Sequence, residues 1–491
     1  MEYTFCLLFL WVGRSNGVYL TTSAKLPMYD FPKKFSFGVA TSAFQIEGGW
    51  NASGKGVSIW DHLVHDTNEI IVDGSNADVA CDSYNKVDYD ILLLKALGVS
   101  HYRFSIAWTR ILPNGFRNHV SEDGVKYYNY LINKLLENGI EPWVTIFHFD
   151  IPYGMFLIGG MFNEKFSEYL SDYADLLFNL YGDRVKTWVT INEPYSVCVS
   201  GTRVLGEYRP NGIVEYLCGH TFLKAHAAVY DLYQRKYKSQ QNGKISMAFN
   251  LQCNYPETNS AEDIEAAERA NQFALGWFVH PVVFGNYPQV MIDSIANISK
   301  TQGFLESRLP VLTAEDQKLL KGSFDFIGLN NYDTYLVSDD RKVDVDPSYI
   351  NDQGVNFTYF PNWTVDYSIE MRSKGLGIIL NWIKKTYNDP EIRILEQGFP
   401  ETSTDLYDHN RHKYIVASLQ QLWKSINEDN VNVTAYTFWS LMDNFEWDKG
   451  YSVRYGLNYV DFNDPNRIRI PRLSAITYNH VSTKKTLRGL L

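Results

Sequence analysis

The chain has 491 residues, 45% hydrophobic and 21% charged, the composition of an ordinary globular protein with a large core. Its net charge of −11 and its lack of any basic run exclude nucleic acid as a partner, because an acidic surface repels phosphate backbones. Aromatic residues make up 15%, which serves either as core filler or as ring faces for sugar stacking; composition by itself favours filler.

The N-terminus, MEYTFCLLFLWVGRSNG, has an apolar stretch from Phe5 to Gly13 followed by small and polar residues. A membrane span needs about 20 apolar residues. The shorter stretch reads as a secretory signal peptide over residues 1–20, cut between Ser15 and Thr22, although Glu2 precedes it instead of Lys or Arg. Residues 21–491 contain no linker, low-complexity tract or charge block and read as one secreted, extracellular domain. Acceptor triplets at Asn51, Asn297, Asn356, Asn362 and Asn432 agree with a glycoprotein on that route. Beyond Cys6, the cysteines Cys81, Cys198, Cys218 and Cys253 allow three full pairings, and none has the C-x-x-C spacing of a zinc site.

Eight short apolar strands follow in order: Phe35–Thr41, Tyr102–Ile106, Trp143–His148, Thr187–Asn192, Ile245–Asn250, Phe324–Asn330, Ile392–Glu396 and Ala435–Ser440. Between them lie stretches with helical spacing of apolar residues, among them Asp88–Leu97, Gly124–Asn138, Glu164–Tyr181, His220–Lys236 and Lys374–Tyr387. Strands alternating with helices imply a parallel sheet, and eight such units predict a single (β/α)8 TIM barrel with elaborated loops at its carboxyl face. An open doubly wound sheet is the alternative, but no G-x-G-x-x-G follows the first strand. Asn271–Ile292 lacks charge but carries Pro281 and Pro288, so it reads as a buried helix end and a turn, leaving no membrane-spanning segment. Ser338–Trp363 reads as a long loop at the barrel mouth.

In such a barrel the chemistry sits at the carboxyl ends of the strands. Here the fourth strand ends in Asn192-Glu193-Pro194 and the seventh in Glu396-Gln397-Gly398. His148 ends the third, Arg103 lies inside the second, and Asn330, Asn331 and Tyr332 follow the sixth. One such Glu is usually a surface charge. Two across one mouth, with Arg, Asn, His and Tyr converging on them, suit cleavage of a glycosidic bond. At a separation of about 5–5.5 Å one carboxylate attacks directly and configuration is retained; at roughly 6.5–9.5 Å a water intervenes and it inverts. Spacing along the sequence does not choose between these.

Six ordered motifs extend this reading. FSFGVATSAFQIEGG (Phe35–Gly49), YRFSIAWTRILPNG (Tyr102–Gly115), TIFHFDIP (Thr145–Pro152), TINEP (Thr190–Pro194), DFIGLNNY (Asp325–Tyr332) and FWSLMDNFEW (Phe438–Trp447) resemble glycoside hydrolase family 1, from about Phe31 to about Val481. The resemblance implies a retaining β-glycosidase of β-glucosidase type that needs no metal or organic cofactor and acts on terminal β-D-glycosides, its partner being a small glycoside or oligosaccharide. It implies Glu193 as acid/base and Glu396 as nucleophile. Gln45, His148, Asn192 and Glu446 would bind sugar hydroxyls, and Trp439 would stack on the sugar face. Trp447 would line the pocket and donate through its indole N–H. Arg103, Asn330 and Tyr332 would surround Glu396, with Tyr332 also facing substrate.

The match departs from the family pattern at Leu395 and Gln397, where the family usually has Thr and Asn, and at Phe149 and Met161, where it usually has Trp. The late-loop Phe is Tyr455. Two further readings follow: a thioglucosidase of the myrosinase type, which must be the animal form because plant forms lack the acid/base Glu, and a non-catalytic glycan-binding barrel. Glycone, aglycone and oligomeric state, a homodimer included, stay open.

Overall fold

Eight parallel strands close on themselves in the computed structural model, which describes residues 29–66, 70–201, 209–342, 344–358 and 364–491. The expected signal peptide, Cys6 and Asn362 lie outside these residues. In chain order the strands are β1 Ser36–Ala40, β2 His101–Ser105, β3 Glu141–Phe147, β4 Thr187–Asn192, β5 Lys244–Pro256, β6 Ile327–Asp339, β7 Val355–Thr358, β8 Ile392–Gln397, β9 Val433–Trp439, β10 Asn458–Val460 and β11 Arg469–Pro471. The ring runs β1-β2-β3-β4-β5-β6-β8-β9 and back to β1, each pair parallel. All eight expected strands are present, and the (β/α)8 barrel is the architecture.

The ring strands are buried on both faces, which is why they read as near-continuous apolar runs instead of alternating ones. The expected helices appear as Val87–Leu97, Glu122–Glu137, Phe166–Tyr181, Val214–Lys236 and Val365–Thr386, with His409–Asn427 and Leu473–Lys484 completing the outer shell. Local chemistry sets their ends. Ser121 accepts from the Gly124 N–H to cap one start, and Gly98, left-handed at φ 65°, closes the end of another. The uncharged stretch is the helix Trp277–Phe284, which contains Pro281, then a turn. Among the described residues no helix is long and apolar enough to cross a membrane.

The loop reading of Ser338–Trp363 needs correction. β7 lies within it and pairs antiparallel with the far end of β6. β5 and β6 both run beyond the barrel, to Pro256 and Asp339, so a three-stranded ribbon rises at the mouth. A four-residue strand such as Val355–Thr358 carries too little pattern to be seen without its partner.

Cys198 and Cys218 form a disulfide, while Cys81 and Cys253 are buried thiols. The bridge ties the helix Pro194–Val199, which begins at the residue after Glu193, to the long helix Val214–Lys236. It closes a loop of 20 residues. The chain entropy removed from the unfolded state is worth about 3 kcal/mol for such a loop. The double variant Cys198→Ala/Cys218→Ala is expected to lose about that much stability, read as a lower midpoint of urea unfolding.

Candidate active site

The carboxyl ends of β2, β4, β6, β8 and β9 meet at the mouth, and the side chains there form one connected network. Arg103, 1% exposed, points inward from β2. Its Nη1 donates to Glu396 Oε1 at 2.5 Å, its Nη2 to Asn192 Oδ1 at 2.6 Å, and its Nε to Thr145 Oγ1 at 3.1 Å. The Tyr332 hydroxyl donates to Glu396 Oε2 at 2.8 Å. Asn330 Nδ2 donates to Glu193 Oε1 at 2.9 Å and to Asn192 Oδ1 at 3.2 Å. It also steadies the charged form of Glu396, so one amide serves both carboxyls.

On the other side of the pocket Gln45 donates to Asn444 Oδ1 at 2.9 Å and to Glu446 Oε2 at 3.4 Å. Asn192 Nδ2 lies 3.2 Å from His148 Nε2. Burial holds His148 well below its ordinary pKa, so the ring is neutral. Trp439 and Trp447 lie near-parallel to the His148 ring at 5.9 and 6.1 Å, and Phe149 packs on Trp447 at 5.0 Å. All eleven residues singled out from the sequence, Gln45, Arg103, His148, Asn192, Glu193, Asn330, Tyr332, Glu396, Trp439, Glu446 and Trp447, belong to this one mouth.

The two central carboxyls have different surroundings. Burial first, then the Glu396 charge, pushes Glu193 up to about 7. Burial raises Glu396 too, but Arg103, Tyr332 and Asn330 all pull it back toward the charged form. Glu446 is pushed up to about 8 by burial and by both neighbouring carboxyls. One buried cation, Arg103, therefore faces a buried carboxyl, Glu396, and two half-buried ones, Glu193 and Glu446. Charge balance favours a single ionised member, and the group bonded to Arg103 is Glu396. The proton then stays on Glu193, which gives one acid and one anion across one cleft.

The departures Leu395 and Gln397 do not reach the sugar pocket. The β6–β8 register slips by one residue at Leu395, since Leu329 faces Ile394 and Asn330 faces Glu396. The extra residue turns Glu396 to the mouth, while Leu395 keeps the inward alternation of Arg393 and packs in the barrel interior with Trp143, Val189, Ala248, Phe326 and Ala435. Gly328 leaves room for it, because a Cβ there would lie 2.6 Å from Leu395 Cδ1. Gln397 Oε1 accepts from the Tyr436 hydroxyl at 2.9 Å inside the wall. Phe149 and Tyr455 do touch the site, the latter edge-on to Tyr332 at 5.8 Å.

Sequence reasoning missed Thr145, Ser196, Asn250 and Asn444. Ser196 lies one turn beyond Glu193 and donates to its Oε2 at 2.8 Å, so the i, i+3 spacing in NEPYS was a usable signal. Asn250 ends the fifth expected strand and Asn444 lies two residues before Glu446 in the last motif, so both also stood where a site residue belongs.

A TIM barrel whose mouth sets a neutral and an ionised carboxyl side by side, walled by Trp, His, Gln and Asn, defines a glycoside hydrolase. Comparison with known proteins makes that specific. The chain belongs to glycosyl hydrolase family 1, whose model matches residues 28–487. It is 43% identical over 467 residues to Myrosinase 1 of Brevicoryne brassicae, covering 93% of this chain and 99% of that one. It is 40% identical over 469 residues to the cytosolic beta-glucosidase of Homo sapiens, covering 94% and 100%. Among solved structures it matches a mutant rice beta-glucosidase in a covalent complex with Glc, with a TM-score of 0.85 and 36% identity over 91% of this chain and 98% of that one.

Proposed function

We propose that this retaining β-glycosidase works by double displacement, with Glu396 as nucleophile and Glu193 as acid/base. The observation that carries this is the unequal donor supply: Glu396 accepts from Arg103 and Tyr332, whereas among the described residues no cation bonds Glu193. Glu396 Oε attacks the anomeric carbon as Glu193 gives its proton to the departing glycosidic oxygen, leaving a glycosyl ester and a free aglycone alcohol. Ester formation removes the Glu396 charge, so the pKa of Glu193 falls. Glu193 then takes a proton from water as that water attacks the anomeric carbon, and Glu396 leaves as carboxylate. Gln45, His148, Asn192 and Glu446 hold the sugar hydroxyls, while Trp439 and Trp447 wall the ring.

The test is trapping with a 2-fluoro-β-glycoside bearing a good leaving group, followed by peptide mapping. A stable adduct on Glu396 is the expected result; a label on any other residue overturns the assignment.

The substrates proposed are small β-glucosides or oligosaccharides. The 43% identity to a myrosinase supports a second reading, cleavage of S-glycosides, which a parallel assay of one O-glucoside and one glucosinolate separates. Secretion is supported by the Cys198–Cys218 bridge, which persists in oxidising compartments, and by the exposure of Asn51, Asn297, Asn356 and Asn432.

A further inference from the structure

Glu193 must be stable in two protonation states within one catalytic cycle, and the hydrogen bonds around it differ in whether they can follow that change. Its Oε1 accepts from Asn330 Nδ2. That amide is held as a donor, because the same Nδ2 also donates to Asn192 Oδ1, an oxygen already held by Arg103 Nη2 at 2.6 Å, even though its own Oδ1 is buried without a partner among the described residues. An acidic proton aimed at Asn330 would find a donor instead of an acceptor.

Its Oε2 is placed differently. It accepts from the Ser196 hydroxyl at 2.8 Å, and Ser196 Oγ in turn accepts from Asn250 Nδ2 at 2.9 Å. Asn250 is 6% exposed, and its Oδ1 is buried with no hydrogen-bond partner among the described residues. A buried amide oxygen left unpaired is costly, and most buried polar groups have a partner.

We propose that Ser196 and Asn250 form a reversible hydrogen-bond relay that accommodates Glu193 in both charge states, which makes them positioning residues for the acid/base; this rests on the role given to Glu193 above. With Glu193 ionised, the chain of donors runs Asn250 Nδ2 to Ser196 Oγ to Glu193 Oε2, as in the structure. With Glu193 protonated and the site empty, the direction reverses: Glu193 Oε2–H donates to Ser196 Oγ, and the Ser196 hydroxyl donates to Asn250 Oδ1. A half-turn of the Asn250 amide exchanges its donor and acceptor ends and gives the orphaned oxygen its partner. The proton on Glu193 comes from the water of the second step and leaves to the glycosidic oxygen, while Ser196 keeps its own proton and only turns. When substrate arrives, the parked proton turns from Ser196 to the glycosidic oxygen. Ser196 suits this task because a hydroxyl both donates and accepts, which an amide fixed on two sides does not.

The experiment compares pH profiles of kcat/KM on an alkyl β-glucoside, whose cleavage needs the acid. In the wild type Ser196 donates to the anion and accepts from the acid, and the bond to the anion is the stronger of the two, so Ser196→Ala should raise the pKa of Glu193 and move the alkaline limb up by about one pH unit. Ser196→Thr, which keeps the hydroxyl, should return it to the wild-type position. Asn250→Asp offers only acceptors and draws the Ser196 proton away from Glu193, so it should shift the limb in the same direction as Ser196→Ala. Thermal melting of each variant provides a folding control. An unmoved limb in Ser196→Ala, with Glu193→Ala abolishing the limb, overturns the relay alone. A limb that survives in Glu193→Ala overturns the acid/base assignment itself.

Discussion

Replacing Glu396 by alanine is expected to lower kcat on every β-glycoside on the order of 10⁵-fold, as removal of a covalent nucleophile does elsewhere. Arg103 gives this variant a second consequence. The guanidinium is 1% exposed and donates to Glu396 at 2.5 Å, so alanine leaves a buried cation without its counter-ion. Breaking such a pair costs about 3–5 kcal/mol. Glu396→Gln keeps an acceptor for Arg103 and should be the more stable of the two while being equally inactive. The measurement is kcat alongside urea unfolding of both variants. Azide admitted to the alanine cavity should attack the face that Glu396 used and yield the α-glycosyl azide. Normal turnover in either variant would remove Glu396 from the mechanism.

Glu193→Ala should separate substrates by their leaving groups. An alkyl alcohol needs the proton, so its kcat/KM is expected to fall about 10²–10⁴-fold. A dinitrophenolate leaves unaided, so formation of the glycosyl ester from it should be nearly unchanged, whereas its hydrolysis slows for want of a base. Azide should rescue turnover and give the β-glycosyl azide, since it replaces the second-step water on the Glu193 side. Equal losses on both substrates would count against the acid role. The pH dependence has a definite sign. Glycosylation needs Glu193 protonated, so acid-dependent cleavage falls as pH rises through about 7, the value to which burial and the Glu396 charge bring it. The acid limb belongs to Glu396, which must be ionised and loses rate as it takes up a proton.

Much of this site was legible in the sequence because its markers are local. An apolar run that stops in Asn192-Glu193-Pro194, or in Glu396-Gln397-Gly398, marks a strand end within a few residues. Strand-then-helix alternation needs only short-range periodicity, and eight repeats of it already imply a closed ring. What lay beyond reach joins distant parts of the chain. Gln45 meets Glu446 across 401 positions, a bond that only the fold makes, whereas Arg103 beside Glu396, 293 positions apart, was expected through the family resemblance alone. β7 becomes a strand only through the far end of β6, and Cys198 takes Cys218 only because two helices are brought together.

The sequence by itself therefore determined the barrel and the identity of both carboxyls. The family resemblance implied which of them is charged; only the tertiary structure supplied the physical reason. That reason is which carboxyl the Arg103 guanidinium reaches, and ring closure, not chain order, brings the ends of β2, β4, β6 and β8 within hydrogen-bond range. The same closure turned Glu396 to the mouth, since a slip of one residue against β6 exchanges the face a side chain occupies.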